Sequence, residues 1–160
     1  MDRISIIALY LVALAAGFQT TRTPEELATQ LVHRHCQNLR IESIHIGDVI
    51  GMTGIIAADC DKRLPGGRWE KRDTRLWADD CLGWNYTRPE GFTAEPYGRG
   101  GQRGGCRDWV YEQIGDFQFR IRANCAHAFP RQVSFYQPGL LEVDLEGGHL
   151  GCLGVWRKGY

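Results

Sequence analysis

The sequence has no surplus of either charge: 19 Lys and Arg stand against 19 Asp and Glu. A neutral chain sets up no long-range field to gather polyanions or anionic lipid, so neither nucleic acid nor a membrane surface is an expected partner. Long apolar runs are also scarce. The main one, residues 6–16, is shorter than the roughly 20 residues needed to cross a bilayer. It follows a short charged start containing Arg3 and closes in Ala13, Ala15, Ala16 and Gly17. That is the grammar of an export signal, so residues 1–17 are expected to be a leader and the rest a soluble, secreted, extracellular protein. No Cys-x-x-Cys pair occurs, which argues against structural zinc. No His-Glu-x-x-His, Gly-x-Ser-x-Gly or phosphate loop occurs either. No catalytic residue, metal or cofactor is therefore assigned. Asp79 and Asp80 adjoin, but neighbours on a strand point to opposite faces and make no carboxylate pair. An acid–base site such as His45 with Glu42 leaves no local signature, which keeps a secreted hydrolase or ribonuclease as a lesser alternative.

What the chain does carry is cysteine. Cys36, Cys60, Cys81, Cys106, Cys125 and Cys152 all lie beyond the leader. An even count in an exported chain of about 140 residues reads as three disulfides in one domain, with every pairing open on arithmetic alone. Asn85-Tyr86-Thr87 is a glycosylation sequon and would put Asn85 at the surface. Residues 18–33 form a polar lead-in, helical or irregular, containing Pro24 and two glutamates. Beyond it glycine and proline punctuate short runs. Gln118-Phe119-Arg120-Ile121-Arg122-Ala123 alternates at period two, and Leu39-Arg40-Ile41 and Trp109-Val110-Tyr111 are strand-like in composition. The expected fold class is all-β.

The order of features repeats. His35-Cys36-Gln37-Asn38-Leu39-Arg40-Ile41-Glu42 lines up with Gly105-Cys106-Arg107-Asp108-Trp109-Val110-Tyr111-Glu112. Ile56-Ala57-Ala58-Asp59-Cys60 lines up with Ile121-Arg122-Ala123-Asn124-Cys125, and Pro65 and Pro130 each follow five residues later. Leu76-Trp77 then matches Phe135-Tyr136 in character, and Gly91-Phe92 and Gly148-His149-Leu150 close the copies. The first copy carries insertions around 47–51 and at Gly66-Gly67. The reading is a tandem repeat, 34–92 and 104–156, within a domain at 34–160, joined by a hinge at 84–105.

This ordered set, present twice, resembles the cyanovirin-N homology family. The motifs are Cys36, Ala58-Asp59-Cys60, Leu76 with Cys81-Leu82-Gly83, then Cys106, Ala123-Asn124-Cys125 and Leu140-Leu141. Trp84 stands where the family often has Asn, the link between halves is longer than usual, and the second copy lacks a counterpart to Cys81. The resemblance implies a pseudo-twofold β structure of short sheets and hairpins whose C-terminal strand returns to the first repeat. It also implies mannose-type oligosaccharide binding at two distal ends, and a tendency to form domain-swapped homodimers through the link. The repeat alignment makes Cys36–Cys60 and Cys106–Cys125 equivalent, which leaves Cys81–Cys152, a pair the family fold accommodates.

By the same analogy, one sugar pocket gathers His33, His35, Asp61, Arg63, Glu146 and His149. The other gathers Trp84, Asn85, Glu90, Gln102, Arg103 and His127, with a glycan on Asn85 able to block it. A carboxylate accepts from adjacent sugar hydroxyls and an arginine donates to ring oxygens. Of the five tryptophans, Trp77 and Trp109 fall on repeat positions and read as core, whereas Trp69 and Trp84 are the exposed candidates for stacking. Arg99-Gly100-Gly101-Gln102-Arg103-Gly104-Gly105 resembles an RGG tract but reads better as a flexible hinge loop. The expected function is a lectin-like protein whose partners are glycans or glycoproteins. The alternative is a secreted effector or inhibitor that uses the fold as a protein-binding scaffold.

Overall fold

Thr23-Pro24-Glu25-Glu26 starts the first element, an α-helix over Pro24–His35 (α1). The Thr23 hydroxyl accepts from the Glu26 N–H at 3.2 Å, and the Glu26 carboxylate accepts from the Thr23 N–H at 3.1 Å. This reciprocal box satisfies two amides that a helix start leaves open. The lead-in is thus a full helix that runs past residue 33, because Thr29 and Val32 on its inner face are buried. The structure, a computed structural model, describes residues 22–44, 53–87, 89 and 91–156. The leader expected at 1–17, the insertion at 47–51, His45 and Glu90 lie outside those residues.

After α1 come β1 (Cys36–Ile44), β2 (Thr53–Arg63) and β3 (Trp69–Trp77), an antiparallel sheet in that order. A single 3-10 turn, Ala78–Asp80, leads into the hairpin β4 (Leu82–Asn85) and β5 (Gly91–Ala94), then a short helix α2 (Gly100–Gly104). The second three-stranded sheet is β6 (Cys106–Gln113), β7 (Phe119–Cys125) and β8 (Gln132–Phe135). The chain ends in β9 (Leu141–Asp144), β10 (His149–Cys152) and β11 (Val155–Trp156), a third small sheet. The described residues are mostly β, and β7 buries every second side chain, as its alternating sequence requires.

The two larger sheets share their local geometry. Cys36 pairs with Cys60, Gln37 with Asp59, and the register then shifts before Arg40 meets Ala57. Cys106 pairs with Cys125, Arg107 with Asn124, and the register shifts before Val110 meets Arg122. Each bulge holds a residue at positive φ, Asn38 at 54° and Asp108 at 56°. Asn and Asp tolerate that region best among residues with side chains. Each also bonds across its strand pair: the Asn38 amide donates to Asp59 at 2.6 Å, and the Asn124 amide donates to Asp108 at 2.9 Å.

The hairpins cross over. β10 packs on β3 and β2 of the first sheet, while β5 packs on β8 of the second. The Leu150 N–H donates to the Thr74 hydroxyl at 2.9 Å, the Arg63 N–H donates to the Leu145 carbonyl at 2.8 Å, and Cys81 is disulfide-bonded to Cys152. Cys36–Cys60 and Cys106–Cys125 are the other two disulfides. α1 packs on β9, and the Thr29 hydroxyl donates to the Glu25 carbonyl and accepts from the Gly139 N–H at 2.9 Å. One continuous core includes Ile56, Leu76, Leu82, Phe119, Ile121 and Leu150, all fully buried. Each such side chain contributes about 1.5–3 kcal/mol of transfer free energy. An aromatic cluster joins the halves: Trp109 stacks on Phe92 at 5.2 Å and lies over Gly54, where a Cβ would come 3.1 Å from the indole.

The tract at 99–105 is not a flexible loop. It forms α2, and its glycines permit close packing: a Cβ on Gly98 would sit 2.5 Å from the Gly83 Cα, and one on Gly100 2.5 Å from the Gly83 carbonyl oxygen. The Cys81–Cys152 bridge spans 71 residues, against 19 for Cys106–Cys125. Replacing both Cys81 and Cys152 by Ala is expected to lower unfolding free energy by about 2–4 kcal/mol in urea titrations, more than the Cys106/Cys125 double replacement. Equal losses would show that loop length does not set the contribution.

Candidate ligand-binding site

Asp61 and Lys71 face each other across β2 and β3, and Arg63 faces Trp69 two residues on. Successive strand residues alternate faces, so Asp61, Arg63, Trp69 and Lys71 share one face of this hairpin. The Lys71 ammonium lies 2.7 Å from one Asp61 oxygen, and His35 Nδ1 donates to the other at 3.1 Å. His35 directly precedes Cys36, and the Cys36–Cys60 disulfide fixes the backbone on both sides of the contact. Trp69 is 50% exposed and stacks on His35, with centroids 5.9 Å apart and planes at 28°. Burial alone pushes the Asp61 carboxyl up, but the hydrogen bonds and charges of Lys71 and His35 together outweigh it and hold the group below its ordinary value. The result is an ionised, oriented carboxylate beside an open indole face. An apolar ring face flanked by fixed acceptors and donors suits a molecule with one C–H face and a rim of hydroxyls.

The other residues expected in this pocket are placed differently. The β9–β10 turn lies on the opposite face of the hairpin: Gly148 approaches Lys62 and Arg72, and the Arg72 guanidinium donates to the Gly147 carbonyl at 3.0 Å. Glu146 therefore does not join Asp61; it meets Arg63 at the rim, 4.0 Å away, with both side chains exposed. His149 is buried at the base of the turn, opposite Asp144 in register, and is closed to a ligand. His33 points to the other half of the molecule.

At the second end the expected set disperses. Trp84 is 5% exposed and belongs to the core, edge-on to Phe92 at 5.4 Å, because it lies on the inward face of β4 beneath Gly104. Asn85 turns its side-chain carbonyl onto its own loop, accepting from the Thr87 N–H at 2.9 Å and the Thr87 hydroxyl at 2.6 Å. His127 is exposed, with Nδ1 donating to the Arg103 carbonyl at 2.6 Å, and its N–H donates to the Gly104 carbonyl. Arg103 and Gln102 are exposed on α2. Asp79 and Asp80 occupy the 3-10 turn rather than a strand, and both line one hollow with Trp77, Tyr97, Arg99 and Gln102. Trp77 is thus half-buried at a hollow rather than fully in the core. Burial raises the Asp79 carboxyl above its ordinary value, although the Gly101 N–H donates to it at 2.6 Å.

His33 ties α1 to the β6–β7 hairpin. A carbonyl can only accept, so Nδ1 carries the proton that bonds the Asp116 carbonyl at 3.0 Å. Nε2 is then bare and accepts from the Tyr111 phenol at 2.7 Å. Burial depresses the His33 pKa, and the Asp116 and Gly115 carbonyls and the Asp116 charge offset this only in part. Burial raises the Tyr111 pKa, keeping the phenol protonated as a donor.

Comparison of the chain with models of known protein families, with curated proteins and with solved structures finds no match.

The depressed His33 pKa means that the folded state resists protonation. Its contribution to stability is complete above the ordinary value of 6.5 and is lost as pH falls through the folded pKa. Asp61, whose pKa is also depressed, loses its contribution only lower, below the ordinary carboxylate range. Urea midpoints measured from neutral pH down to about 5 should therefore fall less steeply in His33→Gln than in the parent chain. Parallel slopes would place the sensitivity elsewhere.

Proposed function

We propose that the protein is a secreted, lectin-like member of the cyanovirin-N homology type that binds neutral, mannose-type oligosaccharides. The binding surface is the end formed by His35, Asp61, Lys71 and Trp69. The observation that carries this reading is the half-exposed Trp69 indole, stacked on His35 beside the carboxylate that His35 and Lys71 orient. Two further features support it. The hairpins are exchanged between sheets in the manner the family resemblance implies. Three disulfides, and no described helix long and apolar enough to cross a membrane, accord with an exported chain.

A glycan array identifies the ligand, and titration calorimetry against the best hit tests the site. Asp61→Ala is expected to cost about 1–3 kcal/mol of binding, the range for a hydrogen bond to a charged group. Trp69→Ala should cost at least about 1 kcal/mol. Glu146→Ala, at the exposed rim where it meets Arg63, should stay within about 0.5 kcal/mol of the parent. A blank array with cleavage of RNA or wall polymer would reassign the His35–Asp61 pair to acid–base chemistry. Blank results in both assays would leave the protein-binding scaffold.

A further inference from the structure

A groove of about 400 Å3 runs between the two halves, lined by His33, Gln37, Asn38, Leu39, Tyr111 and Gln113 and not by Trp69. It shares His33 and Gln113 with a second hollow of about 320 Å3, edged by Arg34 and Asp116. Volumes of this size are those of small-molecule sites. Among the described residues, no Asp, Glu, Lys or Arg lines the first groove. His33, the one titratable group besides the phenol among the described lining residues, is held neutral by burial with both ring nitrogens engaged.

The polar groups left to a ligand are amides and one phenol oxygen. Asn38 gives its N–H to Asp59, which fixes the side chain and leaves its carbonyl oxygen as an acceptor. Gln113 gives one N–H to the Gly115 carbonyl at 3.2 Å and keeps a second N–H and its oxygen. The Gln37 amide supplies further donors and an acceptor. Tyr111 is held flat on Phe119, planes at 15°, and its oxygen, having donated to His33, can still accept. The groove therefore offers both donors and acceptors from uncharged side chains, with one aliphatic residue, Leu39, among them. Adjacent hydroxyls, each of which donates and accepts, match that pattern.

A peptide fits less well. β1 and β6 are outer strands of their sheets, the edges to which a strand would add. Both are interrupted by bulges, with Asn38 and Asp108 at positive φ, and such bulges block continuous edge pairing. We infer that this groove between the halves is a second saccharide-binding site, for a neutral, hydroxyl-rich sugar, formed jointly by both halves. It shares no residue with the Trp69 surface and stands or falls separately from it.

The test is an NMR titration of the 15N-labelled, disulfide-bonded full chain with mannobiose, maltose and cellobiose, three neutral disaccharides. At least one should produce saturable shifts in the backbone and side-chain amides of Gln37, Asn38 and Gln113. The Gln37→Ala/Gln113→Ala double variant should weaken that binding by about tenfold, from two lost hydrogen bonds. Tyr111→Phe, which removes only the phenol oxygen, should weaken it severalfold and serves where the double variant misfolds. In Asp61→Ala the groove shifts should persist unchanged. Shifts that vanish in Asp61→Ala would be transmitted from the other site and would overturn the inference. So would the absence of saturable change with all three sugars, or an equal response to a short extended peptide.

Discussion

The last hairpin of the chain comes back to the first sheet, and most of the architecture is arranged around that return. It is held by the Cys81–Cys152 bridge, by the Leu150 N–H on Thr74 and by the Arg63 N–H on Leu145. The helix α1 has a buried face because β9 is there to cover it, and Thr29 reaches Gly139 only in that position. The turn at 147–148 backs one face of the β2–β3 hairpin, which leaves the other face, with Asp61, Lys71 and Trp69, turned outward. Local pairing in the first sheet and long-range docking of the hairpin are therefore one constraint viewed at two scales.

Strand content was legible because the evidence of period and punctuation is local: the alternation at 118–123 becomes β7, and both cysteine pairs fall opposite each other in their ladders. Trp69 reads correctly as exposed, since Gly66 and Gly67 place it beside a turn. What failed depended on partners distant in sequence. Trp84 sits next to a sequon and turn residues, yet Gly104 and Phe92 bury it. Glycines 98–104 look mobile in composition, but they are small so that α2 can lie against Gly83. Asp79 and Asp80 were assigned strand geometry that the 3-10 turn removes. The helix was within reach: Thr23-x-x-Glu26 with Pro24 is a start signal that precedes a buried Thr29 and Val32.

The grouping of site residues was only partly accessible. Asp61 with His35 follows from their places beside a paired disulfide, whereas Glu146 and His149 required knowing which face of the hairpin the terminal turn covers. Lys71 was missed because its importance comes from cross-strand register, not from any motif. The two halves also diverge in how they hold the same bulge. In the first, the positive-φ residue is the amide donor Asn38; in the second it is the acceptor Asp108. The bond survives with its direction reversed, so the two ends keep one backbone shape while presenting different chemistry.

The bridge between Cys81 and Cys152 also has a mechanical meaning. It encloses β4 to β10 in a covalent ring, and Cys106–Cys125 forms a smaller ring inside it. Tension applied at the two ends of the chain bypasses that whole region, because the load travels through the sulfurs. Cys36–Cys60 bypasses the first strand pair in the same way. Among the described residues, only those before Cys36, the stretch from Cys60 to Cys81 and those after Cys152 can lengthen. A single cut anywhere inside the larger ring leaves both fragments tethered, so a protease must open the chain outside it, or cut twice, before any part of the molecule is released.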